Sequence, residues 1–339
     1  MNGGLARIES GWWILLAALM VFPLVTTEFL TLQVGAYAMV LGILALSLMW
    51  LAGYGGMVSL AQVAIAGLGA YMLPILGTNT QDVMGLGWPW WLSILAALAV
   101  SIGFAAFIGA VAARTEGIYT LMITLAFSVV VFYFARQNYT LFNGFTGFAG
   151  IEPPALFGVR WRDPVPFYYL VLAFAVGLYA LVTYASRSTF GLSLQGVRDN
   201  PRRLRALGFN VTAHRVFAFA LSGFIAGVGG ILLVWFNGRI APSSIGIDIT
   251  IDLLVIAVIG GLRLPIGPFI GALAFVLLDN FAIDLINRER FNTVIGIVFL
   301  LIVYFSPDGL LGLWKRFGPT VRPLKRRAAS PAPMAESTE

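Results

Sequence analysis

Apolar residues in this 339-residue chain fall in blocks about twenty long, separated by short polar or Gly/Pro-bearing stretches. Crossing a hydrocarbon core ~30 Å thick takes ~20 mostly apolar helical residues. The blocks predict spans at 12–27, 33–52, 57–76, 90–113, 118–135, 164–185, 215–237, 249–262, 265–286 and 291–306. Helices follow, because unpaired backbone cannot face lipid. The expected fold is therefore an all-α polytopic membrane protein of about ten transmembrane or re-entrant helices, with both termini on one side.

Two blocks break the pattern. Segment 57–76 carries Gly67, Gly69 and Pro74, and 249–262 is short and runs into GGLRLPIGPFIGA. Gly55-Gly56 and Gly260-Gly261 are each followed by a Gly-Ala pair, Gly69-Ala70 and Gly271-Ala272, which suggests an internal repeat. Interrupted apolar segments at matching places in two halves point to a transport route. Gly67, Gly69, Gly260 and Gly261 are candidates for lining it. The competing use is close packing, since Gly223-x-x-x-Gly227 and Gly267-x-x-x-Gly271 have the small-xxx-small spacing that brings helix backbones together.

Composition supports the membrane assignment. Only 11% of residues are charged, against roughly 25% in soluble domains, and 59% are hydrophobic. Net charge is +6, but the basic residues gather near 198–215 and 315–327, which fits a membrane-surface bias and not nucleic acid. On the ten-span assignment fifteen of the twenty-one Lys and Arg share a face with the termini, which predicts that face to be cytoplasmic. Without the six basic residues of the tail, the count is nine against six. The first block reads as a retained helix after residues 1–11. Loop 136–163, with Trp161, Pro153 and Pro154, suits an outer cap, and the tail 314–339 is basic and then of disordered composition.

Catalytic motifs do not assemble. A phosphate loop needs G-x-x-x-x-G-K-[ST], yet Lys315 and Lys325 are each followed by arginine. His214 is the only histidine and there is no cysteine, so zinc sites of the H-E-x-x-H type and thiolate chemistry have no residues to use. Gly191-Leu192-Ser193-Leu194-Gln195 fails as a nucleophile elbow at its last position. The expectation is a non-enzyme that needs no cofactor or metal. Among the acids, Asp252 and Asp279 alone fall well inside predicted spans, where charge is costly unless it works; both are candidate pathway residues, or else helix-end anchors.

One hydrophilic stretch stands out, GVRDNPRRLRALGFNV at 196–211. Asn200-Pro201 is a helix-start signature and Gly208 a left-handed stop. The helix between them, Pro201 to Leu207, is ~10 Å long and cannot span a membrane. Leu204 and Leu207 share a face, with Arg202, Arg203, Arg205 and Ala206 around the rest. Helices this short rarely persist alone, so lipid headgroups or a protein groove must hold it. The cap, the paired leucines and the glycine stop favour a groove.

The stretches GYGGMVSLAQVAIAGLGAY (53–71), EGIYTLMITLAF (116–127), NGFTGFAGI (143–151), 197–230, VIGGLRLPIGPFIGA (258–272) and SPDGLLG (306–312) resemble LivM-type permeases of bacterial branched-chain amino-acid ABC importers. The resemblance implies an inner-membrane permease domain at 12–313 that pairs with a homologous LivH-like permease. It also implies two cytoplasmic ATPase subunits and a periplasmic solute-binding protein as partners. Loop 187–215 is similar to that family's coupling segment, which would make Asn200, Pro201, Arg202, Arg203, Leu204, Arg205, Ala206, Leu207 and Gly208 the ATPase contact. Arg263 and Pro265 after Gly260-Gly261, and Ala61 in place of a usual glycine, depart from the family pattern. A urea or other small-solute permease, or an ion-coupled carrier using Asp252 and Asp279, are the alternative readings.

Overall fold

The computed structural model describes residues 3–77, 85–154, 158, 160–285, and 296, 297, 300, 304, 309, 310 and 312. It is helical nearly throughout. The first helix, α1, is Gly3–Val25, and α2 runs unbroken over Leu30–Tyr54 with wide π turns at both ends, Leu30–Ala36 and Trp50–Tyr54. An extended stretch then leads into the shorter α3, Gln62–Leu76. Next come α4 (Trp90–Ala112), α5 (Ile118–Gln137) and the single turn α6 (Tyr139–Phe142). Helix α7 (Pro164–Arg187) is followed by two short helices, α8 (Thr189–Asp199) and α9 (Pro201–Ala206), and by the long α10 (Val211–Asn237). A 3-10 turn, Pro242–Ile245, introduces α11 (Ile247–Gly260), and α12 is Gly267–Leu285.

Six of these segments are long and apolar enough to cross a bilayer, and α3 and stretches of α1 and α12 are shorter apolar helices. Helix α2 is the centre: 89% of its apolar window is buried, against 28% for α4 and α5. A helix apolar all round belongs inside, so α7, α10, α11 and α12 surround α2 and leave it no lipid-facing side. The peripheral helices show their large apolar residues outward, among them Leu95, Phe107, Met122, Val130 and Phe174. That is the burial pattern expected when lipid, not water, is the solvent.

Small residues set the closest crossings. A Cβ at Gly223 or Gly227 of α10 would collide with Ala105 or Ser101 of α4, and one at Gly230 with the Ala66 backbone of α3. Gly69 of α3 lies against Ser101 and the Ala97 carbonyl of α4 in the same way. Polar side chains tie the same interfaces: Ser101 donates to Ile65 O at 3.3 Å, and Trp50 Nε1 donates to Ala218 O at 3.1 Å.

The two ends of the helix bundle are built differently. At one end lie the α2–α3 junction, the α4–α5 turn, α8–α9 and the α11–α12 turn. At the other, loop 138–163 folds back so that β1 (Phe148–Ala149) pairs antiparallel with β2 (Arg239–Ile240). Ile151 N donates to Gly238 O at 3.1 Å beside that ladder, and Arg162 pairs with Glu152. Tyr71 at the end of α3 meets Phe142 edge-on at 5.0 Å, joining this cap to the core.

Several expectations need correction. The segment 57–76 is helical only from Gln62, because residues 56–61 are spent turning the chain back. Helix α1 starts at Gly3, not at residue 12, so residues 3–11 continue the helix instead of preceding it. Loop 187–215 is not a loop around one short helix: α8 was missed, and α9 ends at Ala206, one residue early. The segment 291–306, the stretch 306–312 as a whole and the tail 314–339 lie outside the described residues or only partly within them.

Candidate functional site

Three helices in succession, α8, α9 and α10, are each started by a side-chain cap. Ser188 Oγ accepts from Gly191 N at 3.2 Å, Asn200 Oδ1 from Arg203 N at 3.0 Å, and Asn210 Oδ1 from Ala213 N at 3.0 Å. Each cap satisfies one of the orphan donors at a helix start and fixes where the chain bends. Gly208, at φ +88°, makes the turn after α9, and Phe209 N returns to Leu204 O at 3.1 Å. A helix of six residues persists here because its ends are specified and its neighbours hold it.

The arginines divide into two kinds. Arg215, 6% exposed, reaches from the start of α10 into the α4–α5 turn, where Nη1 donates to Ala113 O at 2.9 Å and Thr115 O at 3.3 Å, and Nη2 lies 3.5 Å from Glu116 Oε1. Arg198, at the end of α8, donates through Nη1 to Gly53 O at 2.5 Å and pairs through Nε with Asp199 at 2.9 Å. These two anchor the ends of the segment to the bundle. Arg202, Arg203 and Arg205 between them are exposed.

The leucines part company as well. Leu204 is half-buried against α8, close enough that a Cβ at Gly196 would stand 3.0 Å from Leu204 Cδ2. Leu207 is 67% exposed and Phe209 42%. Of the expected outward pair, Leu204 and Leu207, only Leu207 is exposed; Leu204 seats α9 on α8, and Phe209 is the second exposed apolar residue of the segment. His214, expected at the surface, is only partly exposed, stacking on Phe190 at 5.6 Å with Phe209 edge-on at 5.8 Å. The result is a braced projection: two anchoring arginines, an aromatic hinge, and an apolar tip ringed by three cations.

The candidate pathway residues scatter into several environments. Gly69 lies at the α3–α4 crossing, and Gly260 packs on the backbone of Gly267 and Gly271 between α11 and α12. Gly261, at φ +102°, makes the turn between those helices. These three positions are close-packing sites. Gly67 faces the Ile245 side chain and borders a void of about 20 Å³ between α2, α3 and α10. Asp252 and Asp279 lie on neighbouring helices, each within electrostatic range of Tyr37 on α2. A larger cavity, about 490 Å³, opens between α1, α2, α7 and α12 with an apolar lining that includes Leu19, Phe22 and Phe269, and it contains none of the candidates.

Sequence reasoning missed α8, Arg198, Arg215 as an inward anchor, and a buried polar knot of Ser47, Gln62 and Ser222. The signal for α8 was present: Ser188 with its cap, then Gly191, Leu194 and Val197 at the three-residue spacing of one buried helix face. Among the described residues no cluster of His, Cys, Asp or Glu could hold a metal.

Known proteins place this arrangement in a family. The family described as "Branched-chain amino acid transport system / permease component" matches residues 30–303. The Escherichia coli K12 protein "High-affinity branched-chain amino acid transport system permease protein LivM" is 26% identical over 304 residues, covering 83% of this chain and 70% of its own. "Probable branched-chain amino acid transport permease protein LivH" of Methanocaldococcus jannaschii is 28% identical over 328 residues, covering 92% of both. "Nucleoside ABC transporter permease protein NupC" of Lactococcus lactis is 27% identical over 242 residues, covering 68% of this chain and 74% of its own. No solved structure gives a significant match. With four-fifths of its length inside the family match and its spans in a multi-pass membrane bundle, the chain belongs to the permease components of branched-chain amino acid transport systems.

Proposed function

We propose that the chain is one membrane-spanning half of an ATP-driven ABC importer for branched-chain or related neutral amino acids, carrying no catalytic step of its own. The observation that carries this reading is the braced projection at 188–215. Its apolar tip, Leu207 and Phe209, is exposed just after α9, in a segment anchored on either side by Arg198 of α8 and Arg215 of α10. A membrane anchor needs no such bracing, whereas a lever that must pass on a push does. Two cytoplasmic ATPase subunits are the proposed occupants of the tip, and a LivH-like permease supplies the other half of the route. A periplasmic solute-binding protein would dock on the opposite end, where the β1–β2 ladder and loop 138–163 form the cap. In this reading α8–α9 and the termini face the cytoplasm of an inner membrane, and residues 12–313 form the permease domain, followed by the basic tail.

Neutral or zwitterionic solutes suit a bundle whose helices bury few charges, and the relatives named for branched-chain amino acids favour that class. The relative named for nucleosides makes another small solute the second reading. The test is to reconstitute the chain with the permease, ATPases and receptor encoded beside it and to follow leucine uptake. ATP-dependent uptake that requires the receptor is expected. Uptake driven by an ion gradient with the chain alone would replace this reading with the carrier suggested by Asp252 and Asp279.

A further inference from the structure

Arg198 does more than hold the projection in place. Its guanidinium donates to the carbonyl of Gly53, in the π turn that ends α2, at 2.5 Å. Its aliphatic stem lies directly over Gly56, where φ is +67° and a side chain would run into Arg198 Cγ. Gly53 in turn has its Cα face pressed on the carbonyl of Leu262, in the turn between α11 and α12, so that no Cβ fits there either. Beside that turn, Gly261 packs on Gly309 at the far end of the chain. Three elements therefore meet at one glycine: the end of α8, the break between α2 and α3, and the break between α11 and α12. These are the two interruptions that the sequence repeat singles out, and Arg198 is the side chain that joins them to the projection.

Resting on the reading above, we propose that Arg198 is the positioning residue that transmits movement of α8–α9 to the two helix breaks. Leu262 follows through Gly53 because the two backbones are in contact with no side chain between them. The charge-assisted hydrogen bond and the covered glycine make a short, stiff link. Exposed arginines 202, 203 and 205 make no comparable bond to the bundle among the described residues.

The chain has no cysteine, so a single reporter can be placed cleanly. We would put Leu264→Cys, at an exposed position of the α11–α12 turn, into the complex assembled with its ATPases, and measure maleimide labelling with and without ATP. In the Arg198 background, labelling should change at least about fivefold with ATP, within the usual range of coupling between sites. Arg198→Gln should abolish that change while ATP hydrolysis per complex continues. Arg198→Lys, which keeps a stem over Gly56 and one donor for Gly53 O, should retain part of it. An equal ATP response with Arg198→Gln, or no response with Arg198 intact, overturns the proposal. If Arg198→Gln does not assemble, Arg198→Lys decides: a full loss with hydrolysis intact or a partial loss supports the link, and an unchanged response overturns it. None of these readouts depends on which solute is carried, so failure of leucine uptake would count against the substrate assignment alone, and loss of ATPase co-purification with unaltered Arg198 against the coupling reading.

Discussion

Ser222 on α10 donates its hydroxyl proton to the carbonyl of Ser47 on α2 at 2.9 Å, and the Ser47 hydroxyl gives its own to Leu44 O at 2.6 Å. Each hydroxyl has one proton to give. Both oxygens, 3.1 and 2.9 Å from the Gln62 amide, therefore face it as acceptors. With Oε1 turned toward them, Nε2 is left without a partner; the reversed amide, Nε2 toward both hydroxyls, matches donor to acceptor and leaves only the amide oxygen over. Gln62 is 1% exposed, so this knot joins α2, α3 and α10 out of reach of solvent.

The knot predicts an order of damage. Gln62→Glu would present acceptors to acceptors and bury a charge, and should abolish stable protein. Ser222→Ala removes two bonds, to Ser47 O and to the Gln62 amide, each worth ~0.6 kcal/mol on average between membrane helices, and should lower the melting point only modestly. Melting of the detergent-solubilised protein checks the order; an intact Gln62→Glu protein would contradict it.

Crossings made by glycine predict a size limit. Gly223→Leu forces α10 off Ala105 and Ser101 of α4, and overpacking of this kind costs typically ~1–3 kcal/mol or more where backbone must move. Gly103→Ala on α4, with open space around its Cβ position, should be neutral. Monodispersity on size-exclusion chromatography distinguishes the two, and a well-behaved Gly223→Leu would show that the crossing is loose.

The tip should bind through its apolar residues. Burying a leucine contributes ~1.5–3 kcal/mol, so Leu207→Asp should weaken ATPase co-purification by tenfold or more. Joint replacement of Arg202, Arg203 and Arg205 by Gln should weaken it less and remove the salt dependence that the unaltered protein shows. A larger effect from the arginines than from Leu207 would shift the contact to charge.

Arg215→Met strands the buried carbonyl of Ala113 and the half-buried one of Thr115, and frees Glu116. Leaving buried polar groups unpaired costs ~1–3 kcal/mol each. The α4–α5 turn should become sensitive to protease at Arg114, with the bundle otherwise intact; protection equal to that of the unaltered protein would mean another group holds the turn.

Much of this was legible in the chain. The spans were readable because lipid demands long apolar runs, and six of the ten predicted ones overlap helices long and apolar enough to cross a bilayer. Asn200 and Gly208 were readable because capping chemistry is local. Partners distant in sequence were not: nothing local says that Arg198 reaches position 53 or that Arg215 turns inward to Ala113, since both bonds join residues about a hundred or more apart. The two uses weighed for the glycines could not be told apart for the same reason, because a residue that admits a solute and one that admits a neighbouring backbone look alike until the neighbour is seen.

The β1–β2 ladder carries a consequence for how the protein is made. Phe148 and Ile240 come together only after α7, α8, α9 and α10 have been synthesised between them. Until residue 240 has been made, the earlier helices stand with an unfastened rim, so the closing of that clasp is a late step in assembly.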